Sequence, residues 1–181
     1  MGGLRPQPRH LFRRLKLGVE IERKFLVRKP LFERAAAGVT PVAIMQGYLE
    51  SNERATVRVR IADDRAFLTV KGKVIGISRS EFEYPIPRED AEKMLKLALG
   101  GVIVKKRYNI PFEGHCWEVD VFEGDNAGLI VAEIELKSED EPFTLPDFAA
   151  GEVTGITRYY NGSLMRRPFN TWPTDRPPRR E

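Results

Sequence analysis

Cysteine is nearly absent from this chain, with Cys116 the single example in 181 residues. One thiol forms no intrachain disulfide, which suits a reducing compartment, and no histidine–cysteine constellation accompanies it as a nucleophile would require. Histidine is scarce too. His10 lies in the N-terminal stretch and His115 beside an expected turn, so a zinc site or an imidazole base has nothing to build on. Long apolar runs are missing as well. The longest span only a few residues, as at 129–132, against the roughly 20 that cross a bilayer. The G-x-x-x-x-G-K-[ST] loop does not occur, which excludes P-loop phosphate binding. Pro6 stands where N-myristoylation requires Ser or Thr.

What the chain does have is charge, unevenly distributed. The formal net charge is +4. Residues 1–18 contain Arg5, Arg9, Arg13, Arg14 and Lys16 and no acid. Residues 166–181 contain five arginines against Asp175 and Glu181. The body at 19–165 keeps 20 basic and 24 acidic residues, a net charge of −4. A nucleic-acid protein carries its positive excess on the folded surface, so nucleic acid is not the expected partner. The length suits one domain. We expect a basic flexible extension at 1–18, a folded domain at 19–165 and a basic tail at 166–181. An amphipathic targeting segment at 1–18 is the competing reading.

From Val19 onward, apolar and charged residues alternate with period two, the signature of half-buried strands. Eight strands are expected, at 19–27, 43–50, 56–62, 66–71, 80–86, 102–110, 116–122 and 129–137, consistent with an antiparallel barrel-like sheet. Helices are expected near 31–37, from about 90 to 98 with Gly100-Gly101 as the stop, and at 161–165. No internal repeat and no linker divides the body.

The polar face of these strands is unusual. Glu20, Glu22 and Lys24 share one face, as do Arg58 with Arg60, and Thr69 with Lys71. The same holds for Glu81 with Glu83, Lys105 with Arg107, Glu118 with Asp120, and Glu133 with Glu135. Strand geometry places each set together. A solvated face is the ordinary explanation for polar alternation. Solvated faces mix signs, however, whereas these strands carry like-signed pairs that repel slightly. An inward-curling face would gather acids and bases around a wet cavity, tolerable if a ligand supplies both charge signs. A polyphosphate with a divalent metal does so, since Lys and Arg match phosphate oxygens and carboxylates match a hard cation.

The ordered series Glu20-Ile21-Glu22-Arg23-Lys24, Gln46-Gly47-Tyr48-Leu49, Val57-Arg58-Val59-Arg60 and Leu68-Thr69-Val70-Lys71-Gly72 resembles the CYTH proteins, or triphosphate tunnel metalloenzymes. The resemblance continues through Ser78-Arg79-Ser80-Glu81-Phe82-Glu83, Lys105-Lys106-Arg107-Tyr108, Trp117-Glu118-Val119-Asp120-Val121-Phe122, Glu133-Ile134-Glu135, Glu152-Val153-Thr154 and Arg158-Tyr159. It covers roughly 19–165. It implies an α+β fold, a closed eight-stranded antiparallel β-tunnel with helices packed outside. It further implies metal-dependent hydrolysis of a linear triphosphate with Mg²⁺ or Mn²⁺.

By the same resemblance Glu20, Glu22 and Glu135 are metal ligands, with Glu133 and Asp120 supporting metal and water. Lys24, Arg58, Arg60, Lys71, Lys105, Arg107 and Arg158 form the triphosphate cradle, while Glu81, Glu83 and Glu118 are supporting. The family's acid two positions before the arginine is replaced by Ile156. The expected reaction converts inorganic tripolyphosphate to diphosphate and phosphate. Thiamine triphosphate hydrolysis, nucleoside triphosphate hydrolysis or cyclisation, and a binding module without turnover are the alternatives. A cytoplasmic location is expected, and homodimerisation is left open.

Overall fold

In a computed structural model the described residues are 17–173. Nine strands and three α-helices are built in the order β1 (Leu17–Val27), α1 (Lys29–Ala35), β2 (Val42–Ser51), β3 (Ala55–Ala62), β4 (Arg65–Gly72), β5 (Ser78–Ile86), α2 (Arg88–Leu95), β6 (Ile103–Phe112), β7 (His115–Phe122), β8 (Ile130–Leu136), β9 (Ala149–Glu152) and α3 (Asn161–Arg166). Each of the eight expected strands forms within two residues of its expected limits. β9 falls in a stretch that the sequence pattern left irregular. Among the described residues no helix is long and apolar enough to cross a membrane.

Tight turns set the hairpins. β3 and β4 are joined by Asp63-Asp64, with Asp63 at φ 50°, and β6 and β7 by Glu113-Gly114, with φ of 45° and 80°. Positive φ at the turn matches the right-handed strand twist, and Asp63 also accepts the Ala43 N–H at 2.9 Å. All ladders are antiparallel. The sheet order is β5-β4-β3-β2-β6-β7-β8-β1, and β1 pairs with β5 as well as β8, so the eight strands close. β9 adds to β1 beyond the point where β5 leaves it. An eight-stranded barrel has an interior wide enough for its own side chains or one small ligand.

The apolar core lies outside this barrel. α2 lays Ala91, Met94 and Leu95 on the outer face of β3, against Val59 and Ile61. Gly47 on β2 permits the close approach of the segment after α2, since a Cβ there would meet the Ala98 Cβ at 2.7 Å. A second cluster packs Trp117, Phe25, Phe32 and Phe148 over the outer faces of β1, β7 and β8. A third gathers Tyr159, Leu164 and Met165, and Phe169 and Trp172 pack against it. The packed body therefore runs past residue 165. Most of the expected 1–18 extension, and the tail from 174, lie outside the described residues.

Burial on β5 is inverted relative to an ordinary sheet. Glu81 is 3% exposed and Glu83 8%, while Phe82 and Tyr84, which alternate with them, are 41% and 47% exposed. The charged face is the inner one.

Candidate active site

Because side chains alternate across each strand, the inner face collects one residue in two from every strand of the barrel. They surround a cavity of about 270 Å³. Glu20, Glu22, Lys24, Arg58, Arg60, Lys71, Glu81, Glu83, Lys105, Arg107, Glu118, Glu133 and Glu135 all line it.

Most of these groups, with Arg79 and Asp120, form one connected circuit of opposite charges. Glu83 accepts from Arg60 at 2.9 Å and stands 3.5 Å from Arg58. Arg58 lies 4.0 Å from Glu81, which is 3.3 Å from Lys71. Lys71 donates to Glu20 at 2.8 and 3.0 Å. Arg79 bridges Glu20 at 2.7 Å and Glu22 at 3.2 Å. Lys24 then joins Glu22 at 2.9 Å to Glu133 at 2.5 Å. Arg107 continues from Glu133 at 3.1 Å to Asp120 at 2.6 and 2.7 Å, and it also pairs with Glu118. Lys105 closes on Asp120 at 2.5 Å.

Burial makes the electrostatics strong. Burial opposes the charge on Lys24, but Glu133 and Glu22 outweigh it and hold its ammonium above the ordinary lysine value. Burial would raise Glu133, yet Lys24 and then Arg107 hold its carboxyl well below the usual range. Burial likewise opposes the Arg79 charge, and Glu20 and Glu22 overcome it. Lys71 is lowered, by burial and then by the Arg58 charge, with Glu20 opposing.

Lys105 and Asp120 share one contact but are affected unequally. Burial pushes Lys105 down to about 8 in spite of Asp120, whereas Asp120 is held low by Arg107 first and Lys105 second. The carboxylate has two cations; the ammonium has half a carboxylate and a guanidinium repelling it.

Two expected residues are placed elsewhere. Asp120 is 0% exposed and is not among the lining residues. It sits behind Lys105 and Arg107 and pairs with both, a brace for two cradle bases in this arrangement. Arg158 is exposed and turned away from the cavity, stacked 5.0 Å from the Tyr159 ring and 4.9 Å from the Trp172 ring. Ile156, two positions before it, offers no carboxylate to hold it inward. Conversely, Arg79 is a central member of the circuit that strand limits starting at 80 left out. Residue 79 has the parity of Glu81 and Glu83, and an earlier strand start would have revealed it. Gln46 and Tyr48 from β2 and Tyr160, Ser163 and Arg166 around α3 also line the cavity.

Two atoms in this lining point to a ligand. The Arg58 Nε–H and the Gln46 Oε1 are buried without a hydrogen-bond partner among the described residues, a costly state unless a further group meets them. Acids also oppose acids across strands, Glu22 against Glu135 and Glu118 against Glu133. Directly opposed like charges are destabilising, and a divalent cation between such carboxylates removes the repulsion. Among the described residues no three carboxylates stand close enough together to hold a cation as they are arranged. Their donor chemistry nonetheless suits a hard ion.

A CYTH domain model matches residues 18–169. The chain belongs to the CYTH family. Among similar proteins, an "Inorganic triphosphatase" of Acetivibrio thermocellus is 45% identical to this CYTH chain over 157 residues, covering 86% of it and 99% of that protein. An "Inorganic triphosphatase" of Nitrosomonas europaea is 35% identical over 150 residues, covering 80% and 95%. A crystal structure of an inorganic triphosphatase aligns with TM-score 0.57 at 31% identity, over 81% of this CYTH chain and 93% of that one.

Proposed function

We propose that this chain hydrolyses inorganic triphosphate to diphosphate and orthophosphate, with Mg²⁺ or Mn²⁺ as cofactor. The observation that carries the reading is the buried circuit, in which acids and bases alternate around a cavity of ligand size. Two relatives bearing the name inorganic triphosphatase support it.

Without a ligand the circuit neutralises itself. A bare polyanion gains little there, because each base already has a carboxylate. Glu20, Glu22, Glu133 and Glu135 would hold a divalent cation, and the bases these acids now pair with would then be free for another partner. Lys24, Lys71, Arg79 and Arg107 would turn to phosphate oxygens, beside Arg58 and Arg60, which Glu81 and Glu83 keep in place at the cavity wall. When bound, such a metal supplies Lewis-acid polarisation and an activated water. The chain's own cations stabilise the charge that builds on the equatorial and leaving oxygens, the main source of rate in phosphoryl transfer. Asp120 keeps Lys105 and Arg107 fixed at no cost in reorganisation. A cytoplasmic protein with a small-molecule substrate goes with this reading.

Phosphate release from tripolyphosphate, ATP and thiamine triphosphate, each with and without Mg²⁺, tests it. Metal-dependent release that is fastest from tripolyphosphate is expected. Tight tripolyphosphate binding with no release would leave a binding module instead.

A further inference from the structure

β1 changes partner along one of its two edges. Register pairs join that edge to β5 from Leu17 to Ile21, and to β9 at Phe25 and Val27. Neither strand pairs with it at Glu22 to Lys24. The barrel wall therefore lacks a strand on that edge beside Glu22 and Lys24, each of which makes two ion pairs of the circuit. Thr154 and Val153, just past β9, serve the backbone there in place of a strand. Thr154 Oγ1 accepts the Lys24 N–H at 3.0 Å, and the Val153 N–H donates to the Lys24 carbonyl at 2.8 Å.

A second cavity of about 20 Å³ lies at this gap, lined by Glu22, Lys24, Arg79, Thr154, Tyr160 and the turn between β4 and β5. One water needs on the order of 10–15 Å³ and two to four polar partners. The polar capacity is present. A hydroxyl has one proton and two lone pairs. Thr154 spends the proton on Glu152 at 2.7 Å and one lone pair on Lys24, which leaves the other. The Glu22 ion pairs to Lys24 and Arg79 both fall on Oε1, so Oε2 has lone pairs to offer. Tyr160, which carries a hydroxyl, lines the same space. Glu22, Lys24, Arg79 and Tyr160 also line the main cavity, so the two spaces share a wall.

We propose that this gap is a water port, a site for one water molecule held by Glu22, Thr154 and Tyr160 and delivered sideways into the tunnel. The port rests on the hydrolase reading. A triphosphate gripped by bases on all sides excludes water from the tunnel axis, yet each turnover consumes one. The water oxygen bonds to a terminal phosphorus, and the bridging P–O bond breaks with its electron pair staying on diphosphate. Orthophosphate keeps one water proton and the other leaves to solvent.

Ile77→Phe fills the small cavity from the outside, because Ile77 borders it and does not line the tunnel. The expected result is a fall in kcat of about tenfold or more. The Kd for tripolyphosphate, measured by calorimetry with Mg²⁺, should stay within about twofold. Thr154→Val should lower kcat in the same way and Thr154→Ser should restore it, which keeps the test decisive if Ile77→Phe does not fold. Wild-type turnover by a folded Ile77→Phe protein would overturn the port. So would a weaker Kd at unchanged kcat, since the pocket would then belong to substrate binding. No phosphate release from the wild-type protein would overturn the hydrolase reading itself, and the port with it.

Discussion

Asp120→Asn separates a buried brace from a metal ligand. Asp120 is fully buried and makes three charge-assisted contacts, to Lys105 at 2.5 Å and to Arg107 at 2.6 and 2.7 Å. Removing one partner of a buried pair costs about 3–5 kcal/mol. The amide keeps one acceptor oxygen, and Arg107 retains Glu118 and Glu133, which places the loss near the lower end. Lys105 bears most of it. Its ammonium is already pushed down to about 8, and without Asp120 it falls further.

The sign follows from linkage. A lysine lowered in the folded state is a penalty that is present in full below the folded pKa and relieved as pH rises toward the ordinary 10.5. The wild-type protein should therefore gain stability from this group between pH about 8 and 10.5. The gap to Asp120→Asn should narrow as pH rises to about 8, where the wild-type Lys105 also loses its proton and needs no counter-charge, and then stay level up to 10.5. Urea unfolding at pH 7 is the assay, and about 3 kcal/mol corresponds to a midpoint shift of about 1–2 M at ordinary slopes. Titration with Mg²⁺ should give near wild-type metal affinity. Unchanged stability with a large loss of metal affinity would refute the reasoning and return Asp120 to the ligand set.

Glu20→Gln and Glu22→Gln should each lower metal-dependent turnover about a hundredfold or more while circular dichroism shows an intact fold; near-normal rates in both would remove them from the metal site. Arg58→Ala and Arg79→Ala should weaken tripolyphosphate binding in calorimetry, whereas Glu135→Gln, at the exposed rim, should chiefly weaken metal binding. Raising Mg²⁺ should rescue Glu135→Gln in part and the arginine variants not at all. Arg158→Ala should leave KM for tripolyphosphate unchanged, because its guanidinium stacks on Tyr159 and Trp172 outside the cavity; a raised KM would put it back in the cradle.

Much of this was legible from the chain alone, because period-two alternation is a local property. Residues two apart on a strand share a face whatever the strand pairs with, so the grouping of Glu81 with Glu83, or Lys105 with Arg107, needed no structure. The same parity extends to Arg79, hidden only by a strand limit set one residue too late. Like-signed pairs on each strand also showed that the charged face needed a ligand or an opposing strand to balance it.

Depth and pairing were decided by the tertiary structure. Glu118 and Asp120 have identical parity, yet Glu118 lines the cavity and Asp120 lies behind it. Asp120 is covered by Lys105 and Arg107 of β6, which pair with it and themselves line the cavity. Closure itself depends on β1 meeting both β5 and β8, contacts between residues far apart in sequence that no local pattern encodes. β9 has four residues and little alternation, and it exists because β5 leaves β1 an open edge. Arg158 turned outward for a comparable reason: its direction was settled by the rings of Tyr159 and Trp172, which only the folded C-terminal segment brings beside it.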